Sequence, residues 1–279
     1  MLAGLALFSS LLWGTADYLG GKLAKRFASL AVTGASQAIG LIVGVLLLTL
    51  SSGWRHPNLQ LNGFFISGVC AGVAGFVGLV SYYAGLSTGK MGVIAPITSL
   101  SAVIPVLYGF AQGERPQAIQ IIGMGVALLG CFLASGPEMR SGVSAKPIFL
   151  GILTAIMFGV TLVFMARGAK TNSLLTMTTM RFTTVSVAVV IAIWSRRIGG
   201  FSLKDLPVLA AIGVSDFLAN YTLGVATTKG LLSVAMVLGS VFPVVTTLLA
   251  FKFLHERLQK VQYIGVAFAL IGVIAISVA

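Results

Sequence analysis

Three ionisable side chains, Asp17, Arg181 and Asp216, stand inside stretches that are otherwise apolar. A charge at the centre of a bilayer costs about 2.5–3.5 kcal/mol even on the mildest insertion scale, so such residues face a partner or a water-filled cavity and mark candidate sites. Asp216 and Asn220 are four residues apart, on one face of a helix, with Tyr221 beside them. A carboxylate there has two readings: it takes up and releases a proton as a cavity opens to either side, or it forms a static ion pair with Arg181 that locks two helices together. Arg181 keeps its proton under physiological conditions, so its chemistry is to pair with a carboxylate of Asp216, Asp17 or an anionic substrate. Asp17 follows Trp13 by one turn and shares its face, which points to a cavity acid; the alternative is an interfacial pair with Lys22.

These residues need elements to hold them, and composition says which. The chain has 279 residues, 57% of them hydrophobic and 9% charged, with a mean hydropathy of +1.03. No soluble domain of this size hides so much apolar surface. Ten apolar runs of membrane-spanning length fall at about 2–19, 28–50, 62–87, 91–111, 117–135, 147–168, 173–194, 206–227, 231–251 and 258–278. They are continuously apolar rather than alternating, which favours helices over barrel strands and predicts an all-α membrane protein. The longest loop, around Gly136 to Lys146, leaves no room for a domain outside the bilayer. The first run begins at Met1 without a basic segment and is expected to be a retained helix. Cys70 and Cys131 lie within spans and read as packing residues, not as a disulfide or metal site.

The chain also repeats itself. Glu114, Arg115, Gln117, Gln120, Ile122, Gly123, Ala127, Leu128 and Gly130 recur 142 positions later as Glu256, Arg257, Gln259, Gln262, Ile264, Gly265, Ala269, Leu270 and Gly272, nine identities in 21 positions. Two units result, 1–138 and 146–279, each with five spans. An odd number of spans makes the second unit enter the bilayer from the opposite face, so the repeats are inverted, as in carriers that work by alternating access. Aligning the second span with the seventh sets Gln37 opposite Arg181, an electrostatically lopsided pair. Tyr82 and Tyr83 take roughly the place of Asn220 and Tyr221, and their rings suit small organic solutes or, equally, packing and interfacial positions. Trp13 carries the same ambiguity. Pro96, Pro105 and Pro243 interrupt the fourth and ninth spans, as hinges with exposed backbone or as simple kinks.

Trp13-Gly14 with Asp17, Val93-Ile94-Ala95-Pro96-Ile97 leading to Ala102-Val103-Ile104-Pro105-Val106, and the two Glu-Arg-x-Gln-x-x-Gln segments resemble the EamA-type branch of the drug/metabolite transporter superfamily. Asp216 to Asn220 and Gly239 to Thr246 resemble its second-half pattern. The resemblance covers nearly the whole chain. It implies a ten-helix carrier of small metabolites with a central cavity lined by helices of both halves, the family's substrates ranging over amino acids, nucleotide sugars, phosphorylated sugars and drugs. It also implies both termini in the cytoplasm, whereas the basic residues favour the opposite. Loops after odd spans hold twelve Lys and Arg and loops after even spans five, which places the odd loops inside.

The net charge of +12 sits in these short loops, so it argues for lipid as partner rather than nucleic acid. Gly85 to Lys90 has too short a spacer for a phosphate loop, and Met91 stands where a magnesium-binding hydroxyl is needed. No zinc, triad or paired-aspartate motif supports an enzyme, and no cofactor is implied. Glu114 and Glu256, tempting as a catalytic pair, read as solvated ion pairs with Arg115 and Arg257 or as N-terminal charges of the fifth and tenth helices, placed on opposite faces where they could seal alternate gates. The sequence therefore predicts a carrier of a small polar or amphipathic metabolite, amino-acid-like or drug-like, in a bacterial inner membrane. Protons are a candidate coupling ion, and the protein is a monomer or homodimer; an enzyme or channel is the alternative.

Overall fold

The computed structural model describes residues 1–57, 59–87, 91–136, 145–195, 199–254 and 258–278, and within them all regular structure is helical. The elements are α1 (Leu2–Ala24), α2 (Ser29–Leu50), α3 (Phe64–Ser87), α4 (Met91–Ser99), a single 3-10 turn (Leu100–Ala102), α5 (Val103–Ala111), α6 (Ala118–Ala134), α7 (Ala145–Ser195), α8 (Leu206–Thr227), α9 (Leu232–Gly239), α10 (Phe242–Leu254) and α11 (Lys260–Val278). Eight helical stretches are long and apolar enough to cross a membrane, and Ala118–Ala134 is a shorter apolar helix. The protein is an integral, multi-pass membrane protein. Its exterior is correspondingly apolar: Ile274 is 62% exposed, while Arg181 at the centre is 2% exposed. That inversion of the soluble pattern is what a lipid-facing surface requires.

The breaks have identifiable causes. At 50 residues, Ala145–Trp194 would run about 75 Å if straight, more than twice the hydrocarbon thickness. It is divided at Asn172, whose backbone is extended (φ −163°, ψ 111°). The Asn172 side-chain oxygen accepts a hydrogen bond from the Leu175 amide at 2.9 Å, the geometry of an N-cap, and so starts a second arm. Between α4 and α5 the Ser99 hydroxyl donates to the Pro96 carbonyl at 2.7 Å. Between α9 and α10 the Ser240 hydroxyl donates to the Val237 carbonyl at 2.8 Å. Pro105 and Pro243 lie in the first turns of α5 and α10, where their missing donors cost nothing, while Pro96 lies within α4.

The repeated Gln-x-x-Gln segments now have a local explanation. Gln120 accepts from the Gln117 amide at 3.0 Å and Gln262 from the Gln259 amide at 2.9 Å, so each segment caps the start of its helix, α6 or α11. Small residues then let these two helices meet backbone to backbone, with Gly130 and Gly265 set directly against the main chain of Ala269 and Ala134. Gly68 and Gly72 do the same for α3 against the Thr176 and Met180 carbonyls of α7, with the Thr179 and Thr183 side chains packed on them. Cys70 and Cys131 are free thiols.

Glu114 requires a correction. It neither pairs with Arg115 nor serves its own helix; its carboxylate crosses to α9 and accepts the Leu232 and Ser233 amides, the latter at 2.9 Å. The orphan amides of a short helix N-terminus are an anion site, and Gly109, lacking a side chain, leaves room for the approach. Glu256 lies outside the described residues, as do 88–90 of the Gly85 to Lys90 segment.

Two further cross-links tie the first half to the second at loop level. Arg26 pairs with Asp205 at 3.3 Å, Phe27 packs on Phe201 at 4.7 Å between centroids, and the Ser202 amide and hydroxyl donate to Asp205 at 2.9 and 2.8 Å. Those Ser202 bonds, with Arg26 adding to them against a smaller effect of burial, hold the Asp205 carboxyl below its usual value. The other cross-link joins Arg167 to the Asn62 side chain and Thr171 to the Asn62 carbonyl at 3.2 Å.

Candidate functional site

The first arm of α7, its second arm and helices α1, α2, α3 and α8 surround a central cavity. Ser101 of the turn between α4 and α5, and Phe242 at the start of α10, also line it. The α4–α5 and α9–α10 breaks therefore abut the cavity, which is where irregular backbone is tolerated at membrane depth.

One part of the lining is a dense polar network. The Asp216 carboxylate receives four donors, two on each oxygen. Trp13 Nε1 and Asn220 Nδ2 each reach Oδ1 at 3.1 Å, while Gln37 Nε2 and Arg181 Nη2 reach Oδ2 at 2.7 and 3.0 Å. Arg181 Nη1 donates in turn to Gln37 Oε1 at 2.7 Å, and Nη2 also approaches the Asp216 carbonyl at 3.2 Å. Gln37 thus bridges the ion pair, with its amide nitrogen on the acid and its amide oxygen on the base. Arg181 Nε is buried without a partner. It faces Gly40 on α2, where a Cβ would lie 3.2 Å from it. Arg181 also lies 6.0 Å from the Phe217 ring centroid. Apart from Arg181 Nε, the polar groups of the pair are met by hydrogen bonds, as an ion pair in low dielectric requires.

The surroundings of Asp17 are sparsely bonded by comparison. Asp17 lines the cavity one turn from Trp13, and the Tyr82 hydroxyl is its hydrogen-bond donor, at 3.4 Å. Among the described residues the ion pairs are Arg26–Asp205 and Arg181–Asp216, so Asp17 belongs to none. Aromatic rings share this lining: Tyr82, its donor, packs on Phe158 at 5.8 Å, and Trp13 meets Phe242 edge to face at 6.1 Å.

The geometry thus brings Trp13, Asp17, Gln37, Arg181, Asp216 and Asn220 to one cavity. Tyr82 touches it through Asp17. Tyr83 turns aside, its hydroxyl filling the space over Gly20 of α1. Tyr221 packs against the apolar core rather than lining the cavity. Sequence reasoning missed Phe158, Thr161, Leu162, Thr184 and Phe242. The repeat offset contained a signal for one of them: 142 positions after Asp17 falls Gly159, beside Phe158. Helical spacing from Arg181 contained another, Thr184, one turn on. Among the described residues no group of acidic, His and Cys side chains is suited to hold a metal.

Comparison with known proteins agrees with this architecture. A solved crystal structure of a protein without further description superposes with a TM-score of 0.79, covering 99% of this chain and 96% of the other at 19% identity. An uncharacterised protein of Methanocaldococcus jannaschii is 28% identical over 131 residues, which is 47% of this chain and 96% of that relative. The sequence profile of the EamA-like transporter family, a family of transporters rather than enzymes, matches twice, over residues 2–136 and 145–278. The chain belongs to the EamA-like transporter family.

Proposed function

We propose that this membrane transporter is a secondary carrier that moves a small polar or amphipathic metabolite by alternating access. Two inverted repeats of five helices, 1–138 and 146–279, enclose its pathway. The observation that carries the reading is the cavity itself: residues of both halves line it, polar groups face it, and the interrupted stretches α4–α5 and α9–α10 run beside it. Counting the arms of α7 separately, and each interrupted stretch as one span, gives ten. The packing is reciprocal under that count. α3 lies on α7 as α1 lies on α8, α6 lies on α11, and α5 lies on α9. The archaeal relative, nearly all of which aligns with less than half of this chain, supports treating one repeat as a unit.

In this reading Asp216, Arg181, Gln37 and Asn220 form a fixed wall, and Asp17 is the acid exposed to solute and to protons. Pro96, Pro105 and Pro243 flank the segments that change shape when one end closes and the other opens. The test is counterflow in proteoliposomes containing the purified chain. Trans-loaded unlabelled solute should drive uptake of labelled solute against its concentration, with saturation. Solute movement that is linear in concentration and indifferent to trans solute would favour a channel and defeat the proposal.

A further inference from the structure

The charges around the cavity specify which solute it takes. Its ionisable lining is Asp17, Asp216 and Arg181, one guanidinium against two carboxylates. Asp216 and Arg181 are within 3.0 Å and share Gln37, so they neutralise each other and expose little unmet charge. An incoming carboxylate or phosphate would need Arg181, yet Nη1 and Nη2 are committed and Nε faces the α2 backbone at Gly40. Asp17 is left as the carboxyl group facing the void; among the described residues it has one long hydrogen bond and belongs to no ion pair. Trp13, Phe158 and Phe242 share the lining with it, and Tyr82 contacts it from behind. Rings of this kind offer negative faces to a cation, and an ammonium that has left water gains most from them. Leu79, Leu162 and Met180 supply apolar area for the rest of the solute.

Resting on the carrier reading above, we infer that the substrate is an organic cation, an amine or ammonium with an attached apolar group, held by Asp17 within the aromatic lining. Anions are rejected by the same carboxylate, and a zwitterion would leave its own carboxylate without a partner.

The experiment uses three probes of one size and different charge, 2-phenylethylammonium, 2-phenylethanol and phenylacetate. Each is titrated calorimetrically into the full chain in lipid nanodiscs at neutral pH, with protein-free discs as the blank. The ammonium should bind saturably and about tenfold or more tightly than the other two. Asp17→Asn should lose at least about tenfold in ammonium affinity, and Asp17→Glu should retain most of it. Equal affinity for all three probes, preference for phenylacetate, or full ammonium affinity in a folded Asp17→Asn protein would overturn the inference. Should Asp17→Asn fail to fold, the ranking of the three probes on the unaltered chain decides by itself. Counterflow of the same probes separates this inference from the one beneath it. Counterflow of phenylacetate alone would overturn the cation and leave the carrier standing. Charge-ranked, Asp17-dependent binding with no counterflow of any probe would support the cation site and overturn the carrier.

Discussion

Two carboxylates line one cavity, and their surroundings differ sharply. Asp216 is gripped by donors from α1, α2, α7 and α8, so its charge is met before any solute arrives. Asp17 has Tyr82 at 3.4 Å and, among the described residues, no ion-pair partner. A buried charge with all its lone pairs satisfied acts as a joint between helices, whereas one left short of partners remains available to a ligand. In the proposed reading depth in the membrane is a poor guide to role, and the count of donors separates the joint from the site.

The sharpest way to break this comparison is to measure stability. Asp216→Asn leaves Arg181 buried without a counter-charge, and removing one partner of such a pair costs about 3–5 kcal/mol. Thermal unfolding in detergent should show a large fall in midpoint, and adding Arg181→Met should restore most of it, since the unpaired charge is then gone. Asp17→Asn should change stability by less than about 1 kcal/mol, in either direction, because no ion pair is lost. If the two single variants fall equally, the distinction between joint and site fails.

A smaller effect is expected at the end of the molecule where Glu114 caps α9. Replacing a cap typically costs about 1 kcal/mol, so Glu114→Ala should lower the unfolding midpoint modestly. It should also speed labelling of a Ser233→Cys reporter, a position fully buried beneath that cap. Unchanged labelling would mean that packing of α5 on α9 alone keeps this end shut.

Much of the architecture was readable because membrane helices announce themselves by length and hydropathy, and the duplicated Gln-x-x-Gln segments located two of their starts. Asp17, Arg181 and Asp216 stood out for the same reason: charge is rare in such spans. What could not be read was the pairing. One arginine and two aspartates allow either acid to be neutralised, and only the placement of Gln37 across from Arg181 decides for Asp216. The aromatic lining was hidden because Phe158 and Phe242 are ordinary residues in apolar runs. Glu114 was misassigned because its partner, the start of α9, is more than a hundred residues away, so local helix chemistry pointed to the nearer N-terminus.

The smallest effect lies outside the bilayer, where Arg26 and Asp205 tie the loop after α1 to the start of α8. Bonds from Ser202 lead in holding the Asp205 carboxyl below its ordinary value. A carboxyl more acidic in the folded than in the unfolded chain contributes stability that is fully present above the unfolded value, about 3.9. That contribution declines as pH falls below it and is gone once pH passes the lower, folded value. The cross-link should therefore be indifferent to pH from neutrality down to about 5 and weaken only in stronger acid. Amide exchange at 199–206 reads this directly. Protection there should drop below about pH 4, after correction for the intrinsic pH dependence of exchange, and Asp205→Asn should show that lower protection at every pH. The corresponding link from Arg167 to Asn62 has no carboxylate, so exchange at 59–64 should show no acid-dependent step. A step of equal size at both ends would mean that global unfolding, and not Asp205, sets the acid response.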